Sequence, residues 1–560
     1  MQGLECFRAI WCVSGLTVRH GAERRLARHV NARELRSGKA IDISQPRSAR
    51  PIAFEDRTLL VTFDAASLLE ALASLGWQEP RHVIDLFAEY RAATNGLEDR
   101  SRQGTESPDL RKTAECFGLP TDGLLAPESF DSASPTEARH HCRSAVALMP
   151  ALIAHVPNMP FALRRGAYAA SVAAMQHRGI PMERALLERA RELHIRLQDV
   201  ADREYRGLFS GDRIRERRLR AWAARRGYRW PYAQGVRLCI NRFFHWHRAV
   251  DELARLDQLR KKLRTLGSLA DASLTAEGRS HCDIRPFAAS TGRNQPLRRQ
   301  YAWEIPRPLI SPPSDASLAI IDYAQQEIGI AAYLSGDPVM ISHYETGDAF
   351  INFGLVAGLA DPASPSARKE ERKQIKKALA PIMYGAGPAV IAAKLGRSEE
   401  FAANVLRAHR RIYQRSWEWR SEAVRVFNQG TPLGTGYGWR RVPPRVLPAD
   451  VEKLMRSGAN FPVQAHATEI LWAACRRIHD HGIRVVGVLH DAVMIEAPTA
   501  ALPEVCERVQ EIMKEASLEV LPGPLRTAVQ VASHPHQFAF ADDFWAEAYA
   551  LAGEHAGVVS

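Results

Sequence analysis

The chain has 560 residues, of which 46% are apolar and 25% charged. With a mean hydropathy of −0.26 and no run of about 18 apolar residues, this composition excludes a helical membrane protein and a low-complexity disordered chain. The 75 Lys and Arg against 63 Asp and Glu leave a net charge of +12, which favours a polyanionic partner, because counterions displaced by basic side chains drive nucleic-acid affinity. The length exceeds what one hydrophobic core holds, so about two to four domains are expected. The eight cysteines form no C-x-x-C pair and have no histidine partner at zinc spacing, so neither a disulfide framework nor a structural zinc site is expected. The stretch "FRAIWCVSGL" near the start carries Arg8 and lacks a basic region ahead of it, unlike a signal peptide, and a cytoplasmic location is expected.

In chain order, residues 1–150 mix short apolar runs such as "LLVTF" and "HVIDLF" with polar loops, the pattern of an α/β domain. From about 160 to 270 the apolar residues fall at helical spacing, as in "MERALLERARELHIRLQDVADREY" and "AVDELARLDQLRKKLRTLGSL", predicting an extended helical domain. Within it, "GDRIRERRLRAWAARRGYRW" interleaves arginines with Trp222, Tyr228 and Trp230, a composition that suits a phosphate backbone and equally a solvated helix face. Beyond residue 310, strands and helices mix again, and "LADPASPSARKEERK" reads as a surface linker.

The two most apolar strands, "SLAII" and "VVGVL", each run into an aspartate. Asp322 is expected to follow the strand 317–321, and Asp491 to sit in the turn between strands 485–489 and 493–496. An aspartate in so apolar a setting needs a partner. Two carboxylates at adjacent strand ends can share a pair of Mg²⁺ ions, which prefer oxygen ligands and keep positions for water and phosphate; alternatively, both cap backbone N–H groups of turns. Between them in the chain, Arg372, Lys376, Ala380 and Tyr384 are four residues apart and form one stripe of a helix. The arginine and lysine can hold successive phosphates of a triphosphate, and the tyrosine can reach its base and sugar.

This order of elements resembles the polymerase half of family A DNA polymerases, the bacterial DNA polymerase I group and its phage-type relatives, chiefly over 290–545. "DYAQQEIGIAAYLSGDP" is similar to motif A, which implies Asp322 and the Tyr323 carbonyl as metal ligands and Glu327 as the sugar-sensing residue. "RKQIKKALAPIMYG" resembles motif B, the fingers helix, with Arg372, Lys376 and Tyr384 on the nucleotide. "VLHDAV" resembles motif C, with His490 near the primer end and Asp491 as the second metal-binding carboxylate. "TGRNQP" resembles the minor-groove segment with Thr291 and Arg293, "TGYGWRR" the stretch carrying Arg440 and Arg441, and "NFPVQAHATEI" the one carrying Asn460 and Gln464; all six imply DNA contacts.

The resemblance implies a multidomain α/β and α+β protein: a right-hand polymerase with an antiparallel palm sheet and helical fingers and thumb, preceded by an RNase H-like, exonuclease-type α/β domain. The expected limits are 1–150 for the exonuclease-like domain, 151–290 for the thumb, 291–545 for palm and fingers with the fingers at about 337–430, and 546–560 for a tail. It further implies two Mg²⁺ ions, with Mn²⁺ as a substitute, primer-template DNA and deoxynucleoside triphosphates as partners, no membrane, a monomer, and a bacterial or phage origin near the nucleoid.

The sequence departs from the family pattern in places. Motif C ends in Ala492 rather than an acid, motif A has Gln326 where an apolar residue is common, and motif B has Ala380 and Pro381 in place of an aromatic and a glycine. Pro381 is expected to kink or restart the helix and turn Tyr384 away from Arg372 and Lys376. In the N-terminal region the exonuclease acids fall on Ser14, Leu16, His141 and Ala145, while Asp64 and Asp85 read as loop or cap residues, so proofreading is expected to be absent. A template-directed DNA polymerase is the reading that results. A nucleic-acid-binding pseudopolymerase rests on Pro381, and a single-subunit RNA polymerase is disfavoured by Glu327, whose bulk would block a 2′-hydroxyl.

Overall fold

A computed structural model describes residues 4–19, 24–44, 52–95, 109–233, 236–237, 239–281, 283–296, 307–361, 363, 368–443 and 451–553. The chain opens with strands β1 (Ala9–Val18), β2 (Leu26–Glu34), β3 (Ala40–Ser44) and β4 (Thr58–Thr62), helix α1 (Ala65–Ser74), strand β5 (His82–Asp85) and helix α2 (Leu86–Thr94). The sheet order is β3-β2-β1-β4-β5, antiparallel through β1 and parallel across β1, β4 and β5. This is the α/β layer expected for an RNase H-like domain. Its continuous apolar strands, such as fully buried β4, are covered on both faces, as parallel strands require.

Helix α3 (Pro135–Ile153) closes one face of this sheet. A capping box between Ser134 and Glu137 starts it, and Val146, Met149 and Ile153 keep it seated past the exposed Pro150. It therefore crosses the expected boundary at residue 150. On the other face lies α4 (Met159–Arg178), so close to β5 that a Cβ on Gly166 would stand 1.9 Å from the Val83 carbonyl oxygen. Instead of joining the thumb, α4 binds the N-terminal sheet to the rest of the molecule through one continuous apolar core.

The thumb is the pair α5 (Arg184–Glu204) and α6 (Asp251–Ala270). Leu186, Leu193 and Leu197 meet Leu256, Leu259, Leu263 and Leu266, all buried, so the helical spacing in the sequence becomes the seam between the two helices.

The palm is a four-stranded antiparallel sheet. Strand β6 (Ala316–Tyr323) leads into α7 (Gln326–Ser335). The fingers follow as short helices around α8 (Arg368–Met383) and α9 (Pro388–Leu395), and the 30-residue α10 (Val451–Asp480) returns the chain to β7 (Val485–Leu489) and β8 (Ala492–Pro498). After α11 (Leu502–Val520) come β9 (Thr527–Ser533) and α12 (Ala539–Ala552), giving the sheet order β7-β8-β6-β9.

Three expectations are corrected here. Asp322 and Tyr323 lie inside β6 rather than after it, because they pair with Ala528 and Thr527 of β9. Helix α12 runs through residue 546, where a tail was expected, since Trp545, Ala548 and Leu551 recur every three residues and are buried against the thumb core. Helix α8 continues unbroken through Pro381 to Met383. Pro381 is only two residues from the helix end, so its missing N–H removes one bond from a ladder that is already closing. Tyr384 is thus the first residue beyond the helix, in a tight turn where its N–H donates to the Pro381 carbonyl at 3.1 Å.

Candidate active site

Strands β7 and β8 close on the pair Leu489 and Ala492, leaving His490 and Asp491 as a two-residue turn. His490 takes φ 52°, the left-handed region that histidine tolerates better than most side chains. On the neighbouring strand Ile321 pairs with Val493, so Asp322, one step on, comes level with this turn. The two aspartates are thereby brought together from positions far apart in the chain.

The Asp322 Oδ1 atom is buried with no hydrogen-bond partner. Burial raises the Asp322 pKa, opposed by the Tyr323 N–H, by the positive charge of Lys376, by the neighbouring His490 and by the charge of Arg307. Burial, followed by the charge of Asp322, pushes Asp491 up to about 7. An orphaned carboxylate oxygen beside a second carboxylate driven toward its neutral form is the situation a divalent cation corrects. Among the described residues no group of three or more His, Cys, Asp or Glu side chains is arranged to hold a metal. Two carboxylates and the Tyr323 carbonyl, completed by water and phosphate, suit Mg²⁺, which rarely takes an all-protein cage. The Tyr323 ring itself is buried, its hydroxyl donating to the Met513 carbonyl at 2.7 Å, which fixes this end of β6.

The opposite wall comes from α8 and its following turn. Lys376 faces solvent and acts on Asp322 through its charge. Arg372 is not free: its Nε donates to Asp348 Oδ2, and its guanidinium lies 5.4 Å from the Phe350 ring centre. The Tyr384 hydroxyl donates to Glu327 Oε1, and burial together with this bond raises its pKa to about 12. Arg293 Nη2 stands 3.6 Å from the same Glu327 oxygen. Gln464 bonds the Tyr384 side chain, and Asn460 Nδ2 donates to the Tyr384 carbonyl at 3.4 Å while its Oδ1 accepts from Arg420 at 3.2 Å.

Arg293 and Glu327 therefore lie close enough to act on Asp491 through their charges, and Tyr384 joins Glu327 to Asn460 and Gln464. Thr291 is buried two residues from Arg293. Arg440 and Arg441 form a short strand paired with Leu433 and Gly434; the Arg440 side chain is exposed, and Arg441 donates to Ser457 Oγ. Sequence reasoning missed Asp348 and Arg420. Asp348 reads only as the N-cap of helix Ala349–Val356, a role it also fills, and Arg420 carries no motif signal.

In the N-terminal domain, Ser14 and Leu16 on β1 face α3. The Cys142 thiol bonds Ser14, and Leu16 packs with Ala138 and Cys142. His141 accepts from the Leu125 N–H at 3.0 Å, and burial lowers its pKa to about 4, so it is neutral. Asp64 caps α1 through the Ser67 N–H, and Asp85 accepts from the N–H groups of Asp64, Ala65 and Phe87. Both aspartates hold helix starts, as expected.

Residues 240–536 match the model of DNA polymerase family A. The chain belongs to that family. Among its family A relatives is the thermostable DNA polymerase I of Thermus caldophilus, 25% identical over 261 residues, or 43% of this chain and 30% of that protein. The DNA polymerase of Mycobacterium phage D29 is 26% identical over 260 residues, covering 44% of this chain and 40% of that protein. The chain thus matches less than half the length of these curated relatives. In fold it is similar to the POL domain of Pol1 from M. smegmatis, solved in complex with DNA primer-template and dNTP, with TM-score 0.72, 19% identity and coverage of 94% of this chain and 96% of that one.

Proposed function

We propose that this chain is a template-directed DNA polymerase that adds deoxynucleotides to a primer 3′ end, without proofreading and as a monomer. The observation that carries the reading is the convergence of Asp322, with its unpartnered buried oxygen, and Asp491 beneath a fingers helix that presents Lys376. Family A polymerases use divalent metal ions. Here Asp322, Asp491 and the Tyr323 carbonyl would hold two Mg²⁺, or Mn²⁺ in their place, which when bound supply an acidified primer hydroxyl and charge stabilisation at the phosphorus.

The remaining roles belong to this chain's own groups. Lys376 meets the triphosphate, and Arg372 exchanges Asp348 for a phosphate oxygen. Glu327, held by Tyr384 and Arg293, fills the space under the sugar where a 2′-hydroxyl would sit, which favours DNA over RNA synthesis. His490, Thr291 and Arg293 lie at the primer end, and Asn460, Gln464, Arg440 and Arg441 along primer and template. The exposed thumb arginines Arg213, Arg217, Arg225 and Arg229 provide sequence-independent phosphate contacts. Continuity of α8 through Pro381 weakens the pseudopolymerase reading, which rested on a broken helix.

Primer extension by the purified chain, with deoxy- and ribonucleotides in separate reactions, tests the proposal. Extension with deoxynucleotides and Mg²⁺ is expected; extension with ribonucleotides alone would move the reading to an RNA polymerase, and none with either to a binding protein.

A further inference from the structure

Among the described residues, the N-terminal domain meets the polymerase body at several places, including Arg19 on the His281 carbonyl at 3.1 Å and Arg25 on Asp283 at 2.7 Å, and helix α2 is its element that bonds the stretch 287–290. Asp85, buried at the end of β5, caps the start of α2. Midway, Glu89 takes a two-point ion pair from Arg165 of α4, at 2.6 and 2.8 Å with both side chains buried, and Arg165 also donates to the Tyr437 carbonyl at 3.0 Å. The orientation of α2 on the polymerase body is thereby fixed, since a buried pair of this kind tolerates little displacement of either partner.

The far end of α2 spends its donors on one target. Arg91, almost fully buried, donates to the carbonyls of Phe287 at 3.2 Å and Ala288 at 2.8 Å. The single Nδ2 of Asn95 bridges the carbonyls of Ser290 at 2.6 Å and Arg440 at 2.9 Å, and the Val442 N–H returns to the Asn95 carbonyl at 2.8 Å. The segment so held is the turn carrying Thr291 and Arg293, closed by the Ala289 N–H on the Arg293 carbonyl at 3.1 Å. Phe287, which begins it, sits at φ 62°, a strained conformation for an aromatic residue that persists only where its surroundings impose it. This amide, together with the Trp439 Nε1–H that also donates to the Ser290 carbonyl at 3.0 Å, ties together two stretches otherwise distant in the chain, and Arg293 at the end of the first stands 3.6 Å from Glu327.

We propose that α2 sets the primer-contact segment of the polymerase centre: Arg91 and Asn95 are positioning residues that act through the backbone carbonyls of residues 287, 288, 290 and 440 to place Arg293 and Arg440. The N-terminal domain then serves synthesis rather than degradation. The inference rests on the polymerase reading for its functional half. Its structural half, that α2 orders the segment 287–294, stands on geometry alone.

The test uses the full chain with Asn95→Ala and Asn95→Asp, together with Arg91→Lys and Arg91→Met as a second pair. Hydrogen exchange at residues 289–294 is measured alongside single-nucleotide kinetics. Loss of the Asn95 donor is expected to speed exchange in this segment but not in the palm strands, and to lower kcat about ten- to hundredfold with the dNTP KM changed less than about threefold, because a small misplacement of a contact group costs rate. Asn95→Asp should be the more severe, since a carboxylate repels both carbonyls, and Arg91→Lys should retain more activity than Arg91→Met. Combined with Arg293→Ala, the Asn95→Ala loss should be clearly smaller than the product of the two single effects. Unchanged exchange in 289–294 overturns the proposal whether or not the wild-type chain extends primers. So does a kcat within twofold of wild type, or full multiplicativity with Arg293→Ala. Failure of the wild-type chain to extend any primer is a separate result, which removes the polymerase reading.

Discussion

Asp491 pays for its place in the turn with an unfavourable ionisation. Its pKa of about 7 in the folded chain, against an ordinary value of 3.8, means that the folded state holds the proton more tightly than the unfolded state. The stability this proton contributes is fully present below pH about 4, declines as pH rises toward 7, and is gone above it, a difference on the order of 4 kcal/mol. With chelator present, Asp491→Asn should therefore unfold a few degrees above wild type at pH 8, the gap narrowing toward pH 5, and Mg²⁺ should raise the wild-type midpoint at pH 8 more than that of the variant. Thermal unfolding across pH checks both statements. Asp322→Ala and Asp491→Ala should each lower the extension rate at least about 10³-fold while primer-template affinity changes little; near wild-type rates in both would place the chemistry elsewhere. A third residue-scale prediction concerns Glu327. Removing it frees Tyr384 and Arg293 and opens the space beneath the sugar, so Glu327→Ala should raise the ribo-to-deoxy ratio of kcat/KM about tenfold or more. An unchanged ratio would take Glu327 out of sugar selection.

At the scale of elements, α8 shows how position within a helix decides what a proline does. An interior proline costs about 3 kcal/mol and bends the helix, yet Pro381 lies two residues from the C-terminus and the helix continues past it to Met383. The turn it closes delivers Tyr384 to Glu327. The two departures in motif B should therefore separate. Pro381→Ala is expected to leave the dNTP KM within about twofold, whereas Ala380→Phe, half-buried on the face shared with Lys376, should lower it about two- to tenfold if the new ring stacks on the nucleotide, the equivalent of roughly 0.5–1.5 kcal/mol. Single-nucleotide kinetics on the two single variants decide this. A KM that responds to Pro381→Ala and not to Ala380→Phe would restore the kink as the cause of any weak nucleotide binding.

Across the whole molecule, an α/β domain with the sheet order β3-β2-β1-β4-β5 is fastened to a polymerase body by a shared core, and its aspartates Asp64 and Asp85 are occupied as helix caps. Ser14 and Leu16 face Cys142 and Ala138 of α3, His141 is bonded to the Leu125 N–H, and Ala145 is buried in a separate apolar cluster, where two catalytic metals would need carboxylates. A mismatched primer incubated with Mg²⁺ and no nucleotide is expected to keep its length; shortening that disappears on mutation of Asp64 or Asp85 would reverse this account of the domain.

What the chain determines by itself is whatever depends on neighbours in sequence: the helical seam of the thumb, the apolar strands, and an aspartate interrupting each of two of them, since burial of an unpaired carboxylate stands out in any local window. Asp322 and Asp491 were legible for that reason, and the motifs around them supplied Glu327, Arg372, Lys376 and Tyr384. Only the tertiary structure decided how these groups are engaged. Tyr384 meets Glu327 across 57 residues, Arg372 meets Asp348 across 24, and Asn95 meets the Arg440 carbonyl across 345. A hydrogen bond to a backbone carbonyl leaves no trace in the identity of the residue that offers it, so the hold of α2 on the carbonyls of residues 287, 288 and 290 could not be read until the chain was folded.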